Sequence, residues 1–287
     1  TTGKRLSVNG INTPLKKIKQ TKDYSSLGEA KEDITKAAGE ITASGLPESV
    51  KPLIIAVTGD GNVSKGAMEI LDLLPGEYIP AADLKIGNYD KNQDIIKVNL
   101  LVSDYMTPPE GREFDLGHYI NNPDLYTSTI KDYLPEIDVF VNGIYWDDRY
   151  PRLITKDWLR EMDSSNRLNL KVIGDITCDI HGSIECTETA TPIEDPVFIY
   201  NSKNDSYEMG FEGRGVAVMA VDILPSELPR EASIHFSESL RPYLKSIAKA
   251  DFSIEDLSLP APIKNAVIVH NGKLMPDYSY LQSYLPA

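Results

Sequence analysis

LIIAVTGDGNVSKGAMEILDLL, Leu53 to Leu74, reads as strand, glycine turn and helix. Leu53 to Val57 form an apolar run rich in β-branched residues, suited to a strand buried on both faces of a parallel sheet. Gly59 and Gly61 supply positions without a Cβ, where the backbone can bend sharply and a pyrophosphate can approach the main chain. Gly66 is expected to let the next helix pack close to the strand. From Ser64 onward Ala67, Ile70, Leu71 and Leu74 recur at helical intervals, and the free N–H groups of the first turn point back at the glycines as an anion site. The spacing G-x-G-x-x-x-x-G matches the dinucleotide fingerprint G-x-G-x-x-G only in part. A phosphate loop is excluded, because Ala67 and Met68 follow Gly66 where Lys and then Ser or Thr are required. The plain alternative is a strand-to-helix turn whose glycines serve geometry alone. An apolar strand before the turn and an amphipathic helix after it favour the dinucleotide site.

The rest of the chain is compatible with that reading. Its 287 residues can bury a substantial core. Acidic residues outnumber basic ones by 43 to 29, for a formal charge of −14, so the electrostatic footprint of a nucleic-acid or anionic-membrane binder is absent. No apolar run approaches the ~20 residues that span a bilayer, and TTGKRLSVNG has no signal-peptide core. Cys178 and Cys186 lack metal-type spacing, and two thiols in a chain this long suggest a reducing compartment without a disulfide framework. Thr1 is not an initiator Met, so the chain reads as a fragment. Residues 1–50 are expected to form an N-terminal helical segment, 51–225 a dinucleotide-binding domain and 226–287 a C-terminal helical extension.

In order, Ser25 or Ser26 caps a helix carrying Leu27, Ala30, Ile34, Ala37, Ala38 and Ile41, which Gly45 ends. Glu77 to Ile79 give a short second strand at the distance of a first βαβ crossover. Asp83 near its end is the candidate acid for the adenosine ribose, or equally a turn cap. Ile95 to Val102 form a third strand. His118 lies in a polar loop and reads as solvated. Ile137 to Asn142 form a fourth strand, so Asn142, Gly143 and Tyr145 should border a ligand beyond the strand ends, with core packing as the alternative for Tyr145 and Trp146. Thr155 starts a helix. Leu170 to Gly174 form a fifth strand, followed by Asp175, Ile176, Thr177, Cys178 and Asp179. Gly182, Ser183, Glu185 and Glu188 follow closely. These polar groups suit either a bound amine-bearing substrate or turn and cap roles. Nothing in the sequence lowers the pKa of Cys178, so a nucleophilic role is disfavoured. Val216 to Asp222 form another buried strand, a helix runs from about Pro229 to Ala250 with a kink at Pro242, and Val267 to Val269 with Asn271 and Gly272 suggest a small strand and turn. The pattern is that of a Rossmann-like α/β fold, a doubly wound parallel sheet with helices on both faces.

Four blocks carry a resemblance: TGDGNVSKGA (Thr58–Ala67), VNGIYWDDRYPRLIT (Val141–Thr155), GDITCDIHGSIE (Gly174–Glu185) and AVDILPSELPREAS (Ala220–Ser233). They are similar to the lysine 2-oxoglutarate reductase part of bifunctional aminoadipic semialdehyde synthases of plants and animals, and the last block also resembles the NAD-dependent fungal saccharopine dehydrogenases. The resemblance implies an oxidoreductase that condenses lysine with 2-oxoglutarate and reduces the imine to saccharopine with a nicotinamide cofactor. It puts Gly61, Asn62 and Val63 at the pyrophosphate, Asp83 near the adenosine ribose, Tyr145 and Ile176 along the cofactor, and Val221, Asp222 and Leu224 by the nicotinamide end. Thr177, Cys178 and Asp179 would touch saccharopine or its precursors. In the family a separate N-terminal domain supplies the catalytic acid and base, and residues 1–45 cannot contain it; the bifunctional proteins continue into a C-terminal saccharopine dehydrogenase domain. No catalytic residue is therefore assigned in this chain. The resemblance implies NADP(H), whereas a carboxylate at Asp83 would repel a 2′-phosphate and favour NAD(H), unless Lys85 and Lys91 offset it. The compartment implied is cytoplasm or mitochondrial matrix. Two rivals are an alanine dehydrogenase-type amino-acid dehydrogenase and a non-catalytic nucleotide-binding regulatory module.

Overall fold

Every residue of the first strand, Leu53–Thr58 (β1), is buried, because the chain covers both faces of the sheet to which it belongs. The computed structural model describes residues 1–255 and 257–285. After β1 come Glu77–Tyr78 (β2), Ile95–Leu100 (β3), Val139–Asn142 (β4), Val172–Asp175 (β5), Val197–Asn201 (β6), Ser206–Met209 (β7) and Val216–Met219 (β8). They form one sheet in the order β2-β3-β1-β4-β5-β8-β6-β7. Pairings from β2 across to β8 are parallel, and β6 pairs antiparallel with both β8 and β7. This is a Rossmann-like α/β architecture with an antiparallel edge.

Successive strand residues point to opposite faces, and the core divides accordingly. Ile54, Ala56, Ile96, Val98, Phe140 and Ile173 gather Leu84, Tyr105, Leu153 and Leu159 on one face. Leu53, Ile55, Ile95, Val139, Val172 and Ala217 gather Leu6, Ile41, Leu46 and Val50 on the other. Ile41 belongs to the helix Leu27–Ser44 (α1), where Ser26 Oγ accepts from Glu29 N at 3.2 Å and closes the first turn. Gly45 ends that helix at φ 72°, a left-handed position that glycine adopts without a Cβ penalty. The other helices that matter to the site are Asn62–Leu71 (α2), Ala81–Ile86 (α3) and Lys156–Ser164 (α4).

Two expectations change. The second strand does not pair with β1: β3 lies between them, in register Leu53↔Ile95 to Thr58↔Leu100, and β2 is an exposed two-residue edge beyond it. The long apolar run IIKVNL displaces the weak EY strand from the place beside β1, since it buries far more surface there. Second, β6 and β7 form a hairpin that the strand reading passed over. The N-terminal residues pack within the main unit, where Arg5, almost fully buried, donates to the carbonyls of Phe211 and Gly215, each at 2.7 Å.

Contacts divide the chain into Thr1–Leu228 and Pro229–Ala287. The second unit holds the helix Pro229–Lys249 (α5), which runs through Pro242, and the short helix Ala261–Asn265. It also holds a hairpin of Val269–His270 with Lys273–Leu274. Asn271 at φ 48° and Gly272 at φ 73° make its two-residue turn, the type whose twist matches paired strands. Among the described residues no helix is long and apolar enough to cross a membrane.

Candidate functional site

The glycine turn is held from below. Ser64, fully buried in the first turn of α2, donates its Oγ to Thr58 O at 2.6 Å and ties the helix start to the end of β1. Asn99 on β3, with its amide oriented to donate, reaches Val57 O at 3.1 Å and Gly59 O at 2.8 Å. Gly59 sits at φ +88°, and a Cβ there would meet Ser64 Oγ at 3.1 Å and Ile144 Cγ2 at 3.3 Å. Gly61 is the N-cap at φ −72°, and a Cβ on it would meet nothing within 4 Å. The first-turn N–H groups, at Asn62, Val63 and Ser64, therefore open past Gly61 with no intrahelical carbonyl to accept them. Partial positive charge at this end of the helix suits an anion.

Gly66 is corrected. A Cβ at Gly66 would also meet nothing within 4 Å, so it is not the residue that lets α2 approach the sheet. The close approach lies at Gly143, where a Cβ would come within 2.8 Å of Ser64 Oγ.

Beside the turn is a cleft of about 390 Å³ lined by Val63, Gly143, Ile144, Tyr145, Trp146, Ile176, Thr177 and Asp179. It lies at the carboxyl ends of β4 and β5, where ligands of open α/β sheets bind. One wall is the segment after β4. Tyr145 is 74% exposed, which rules out core packing, and its Oη donates to Asp147 Oδ2 at 3.2 Å. Trp146 is partly buried against the core and donates Nε1 to Tyr150 O at 3.1 Å. The other wall is the segment after β5. Thr177 Oγ1 donates to Ile144 O at 2.6 Å and joins the two walls. Burial in the cleft raises the Asp179 carboxyl above the ordinary aspartate range.

Of the residues singled out in the sequence, Val63, Tyr145, Ile176, Thr177 and Asp179 meet in this cleft, with Gly59, Gly61 and Asn62 in the adjoining turn. Cys178 turns away. Its Sγ donates to Ala220 O at 2.9 Å, just past β8, and Val221 behind it is buried while Asp222 is exposed and Leu224 half-buried. Burial pushes the Cys178 thiol up to about 11, helped by the charges of Asp175, Asp222 and Asp179. At neutral pH it is a thiol and a poor nucleophile. Because Cys186 is fully buried, alkylation of the folded protein by iodoacetamide should report Cys178 alone. Its rate should be slow at neutral pH and climb with pH until the thiol ionises near 11; a plateau already reached at neutral pH would contradict this environment.

Asp83 is not at the end of the strand beside β1. It sits in the first turn of α3, past the edge strand β2, and accepts from Asn88 Nδ2 at 2.9 Å. Lys85, the proposed offset, is paired with Asp132 at 2.8 Å. The strand beside β1 is β3, whose last carbonyl, at Leu100, accepts from Gly59 N at 2.9 Å. Leu101 to Asp104 follow it, with Ser103 exposed and the Asp104 carboxylate accepting from Leu101 N at 2.7 Å. Counting about 20 residues from the glycines led to Asp83; weighing strand strength would have led to the end of IIKVNL. His118 is half-buried rather than solvated, with Nδ1 3.0 Å from Tyr126 Oη, and does not line the cleft. Among the described residues no cluster of three or more His, Cys, Asp and Glu side chains could hold a metal ion.

A strand, glycine turn and helix opening on a cleft at the carboxyl ends of a mostly parallel sheet define a Rossmann-type α/β domain. The chain belongs to the alanine dehydrogenase/PNT C-terminal domain family, which residues 29–277 match. It is 35% identical to the alpha-aminoadipic semialdehyde synthase of Arabidopsis thaliana over 97% of its own length, and 31% identical to the mitochondrial alpha-aminoadipic semialdehyde synthase of Bos taurus over 98%. It is also 33% identical, over 41% of its length, to the saccharopine dehydrogenase [NAD(+), L-lysine-forming] of Schizosaccharomyces pombe. The chain spans 27% and 32% of the first two relatives' lengths.

Proposed function

We propose that this chain is the cofactor-binding part of a lysine 2-oxoglutarate reductase, which reduces the imine of lysine and 2-oxoglutarate to saccharopine. The observation that carries the reading is the convergence of the glycine turn and the Ile176–Asp179 segment on one cleft, in a chain similar over nearly its whole length to alpha-aminoadipic semialdehyde synthases.

The residues fit a dinucleotide. Gly61 leaves open space over the helix start, and the Gly59 position is too tight for a side chain. The first-turn amides of α2, at Asn62 and Val63, hold the pyrophosphate; Tyr145 and Ile176 border the cofactor, and Val221, Asp222 and Leu224 flank its nicotinamide end. When bound, the cofactor supplies the hydride. Thr177 and Asp179 face the amino-acid substrate, with Asp179 accepting from its nitrogen, while Cys178, whose Sγ turns to Ala220 O, borders it through its backbone. The acid, the base and the groups that hold the substrate carboxylates belong to an N-terminal partner domain, and a saccharopine dehydrogenase domain is a further partner of the kind the relatives' length suggests. The compartment is the mitochondrial matrix or the cytoplasm.

The cofactor of choice in this reading is NADP(H), with NAD(H) the alternative. Asp83 lies past the edge strand, and Asp104 already caps its own backbone, so the case for a carboxylate repelling a 2′-phosphate weakens. NADPH titrated into the intact protein should bind severalfold more tightly with saccharopine present than without it, while alanine with pyruvate should leave its affinity unchanged. The reverse pattern would favour the alanine dehydrogenase-type reading, and no response to either would favour a regulatory nucleotide-binding module.

A further inference from the structure

Beneath the cleft lies a buried carboxylate that the reaction does not use. Asp175, the last residue of β5, is 1% exposed, and its partners are neutral donors. Oδ1 accepts from Asn142 Nδ2 at 2.8 Å and from Cys178 N at 3.3 Å. Oδ2 accepts from Thr187 Oγ1 at 2.6 Å. Asn142 ends β4 and leads directly into the Gly143–Trp146 wall, and its amide also donates to Ser183 Oγ at 2.8 Å. Cys178 lies within the segment that forms the opposite wall, and Thr187 lies at the far end of the loop that continues it. Within that segment Cys178 at φ 55° and His181 at φ 53° are non-glycine residues in the left-handed region, a conformation that persists only where its surroundings hold it.

We infer that Asp175 is a positioning residue, a hydrogen-bond hub that fixes the two walls of the cleft against each other and holds Ile176 to Asp179 in the geometry that receives the ligand. Three donors from three segments converge on one carboxylate, which links both walls to the loop's far end at Thr187. Burying a carboxylate this deeply is costly unless its bonds are made, and here they are made to the two elements whose relative position defines the cleft.

The inference rests on the nucleotide-site reading above, so the test separates the two. The intact protein is compared with Asp175→Ala, Asp175→Asn, Thr187→Val and Thr187→Ser by calorimetric titration with NADPH and NADH and by amide hydrogen exchange without ligand. Asp175→Ala should weaken cofactor binding about tenfold, the equivalent of one buried bond set left unpaired, and speed exchange across residues 176–188. Asp175→Asn should stay close to wild type, because an amide can accept from Asn142 and Cys178 and donate to Thr187. Thr187→Val should weaken binding and Thr187→Ser should restore it, the opposite of what loss of packing alone would give; this pair carries the test should Asp175→Ala fail to fold. Asp175→Asn as weak as Asp175→Ala, or Thr187→Ser as weak as Thr187→Val, would overturn the inference. If the wild type binds neither cofactor, the nucleotide reading falls, and exchange over 176–188 unchanged by Asp175→Ala or Thr187→Val would then overturn the hub as well.

Discussion

Gly61→Val is expected to weaken nicotinamide-dinucleotide binding by about a hundredfold or more, near 2.7 kcal/mol, without disturbing the fold. The φ of −72° at Gly61 is open to any residue, and a Cβ built there meets no protein atom within 4 Å. A branched side chain would instead fill the space over the first-turn N–H groups of α2, where a pyrophosphate must come within hydrogen-bond distance of the backbone. Gly59→Val is the contrasting control. At φ +88°, with Ser64 Oγ 3.1 Å from its Cβ, it strains the turn itself and should lower stability as well as binding. Calorimetric titration with thermal unfolding on both variants separates these effects. Gly61→Val binding as tightly as wild type would remove the glycine turn from the site.

Asp138→Ala is expected to cost about 2–4 kcal/mol of stability. Asp138 is 3% exposed at the start of β4, far along the strands from the cleft, and forms an ion pair with Lys171. Its Oδ2 accepts from Ile54 N at 2.8 Å, and its own backbone takes part in the ladder through Asp138 N to Ile54 O at 3.0 Å and Lys171 N to Asp138 O at 2.8 Å. Burial raises its carboxyl above the ordinary range despite Lys171, so the ion pair itself adds little net stability. The cost of its loss comes from a buried Ile54 N–H without a partner, while Lys171, with 24% of its side chain exposed, can turn to water. Urea unfolding would show it as a lower midpoint with an unchanged slope; a midpoint within the error of wild type would contradict it.

The strands that form the site were legible because their residues carry a pattern only a two-sided sheet explains. LIIAV, IIKVNL and VFVN have apolar runs of the right length, and each lies where its run predicted, within a residue or two at the ends. The helix caps at Ser26 and Gly45 were legible for the same local reason, since side-chain oxygen and a free left-handed φ act within one turn. What was not legible depends on contacts between distant residues. Strand order is one case: EY at 77–78 follows β1 in sequence, but the stronger IIKVNL takes the neighbouring place, and with it moves the end of the strand against which an adenosine ribose reader is sought. The packing role given to Gly66 is another, because whether a glycine faces a strand or open space depends on how a helix is rotated, and Ser64 rather than Gly66 meets β1. Asn99 and Thr187 passed unremarked as polar residues of strand and loop, and Asn142, expected at the ligand's border, is instead fully buried beneath the cleft; the meaning of Asn99 and Asn142 rests on partners 33 or more residues away, joined only when the sheet closes. The VFIYN–SYEM hairpin was missed because SKND between them reads as a plain polar loop, although Asp205 at φ 51° marks it as a turn.

Amide hydrogen exchange of the intact protein, with and without saturating NADPH, tests the central claim most directly. The account predicts protection concentrated at Gly59 to Gly66, Gly143 to Trp146 and Ile176 to Asp179, the turn and the two walls of the cleft. Binding without protection in these three segments, or no binding of NADPH and NADH alike, would contradict it.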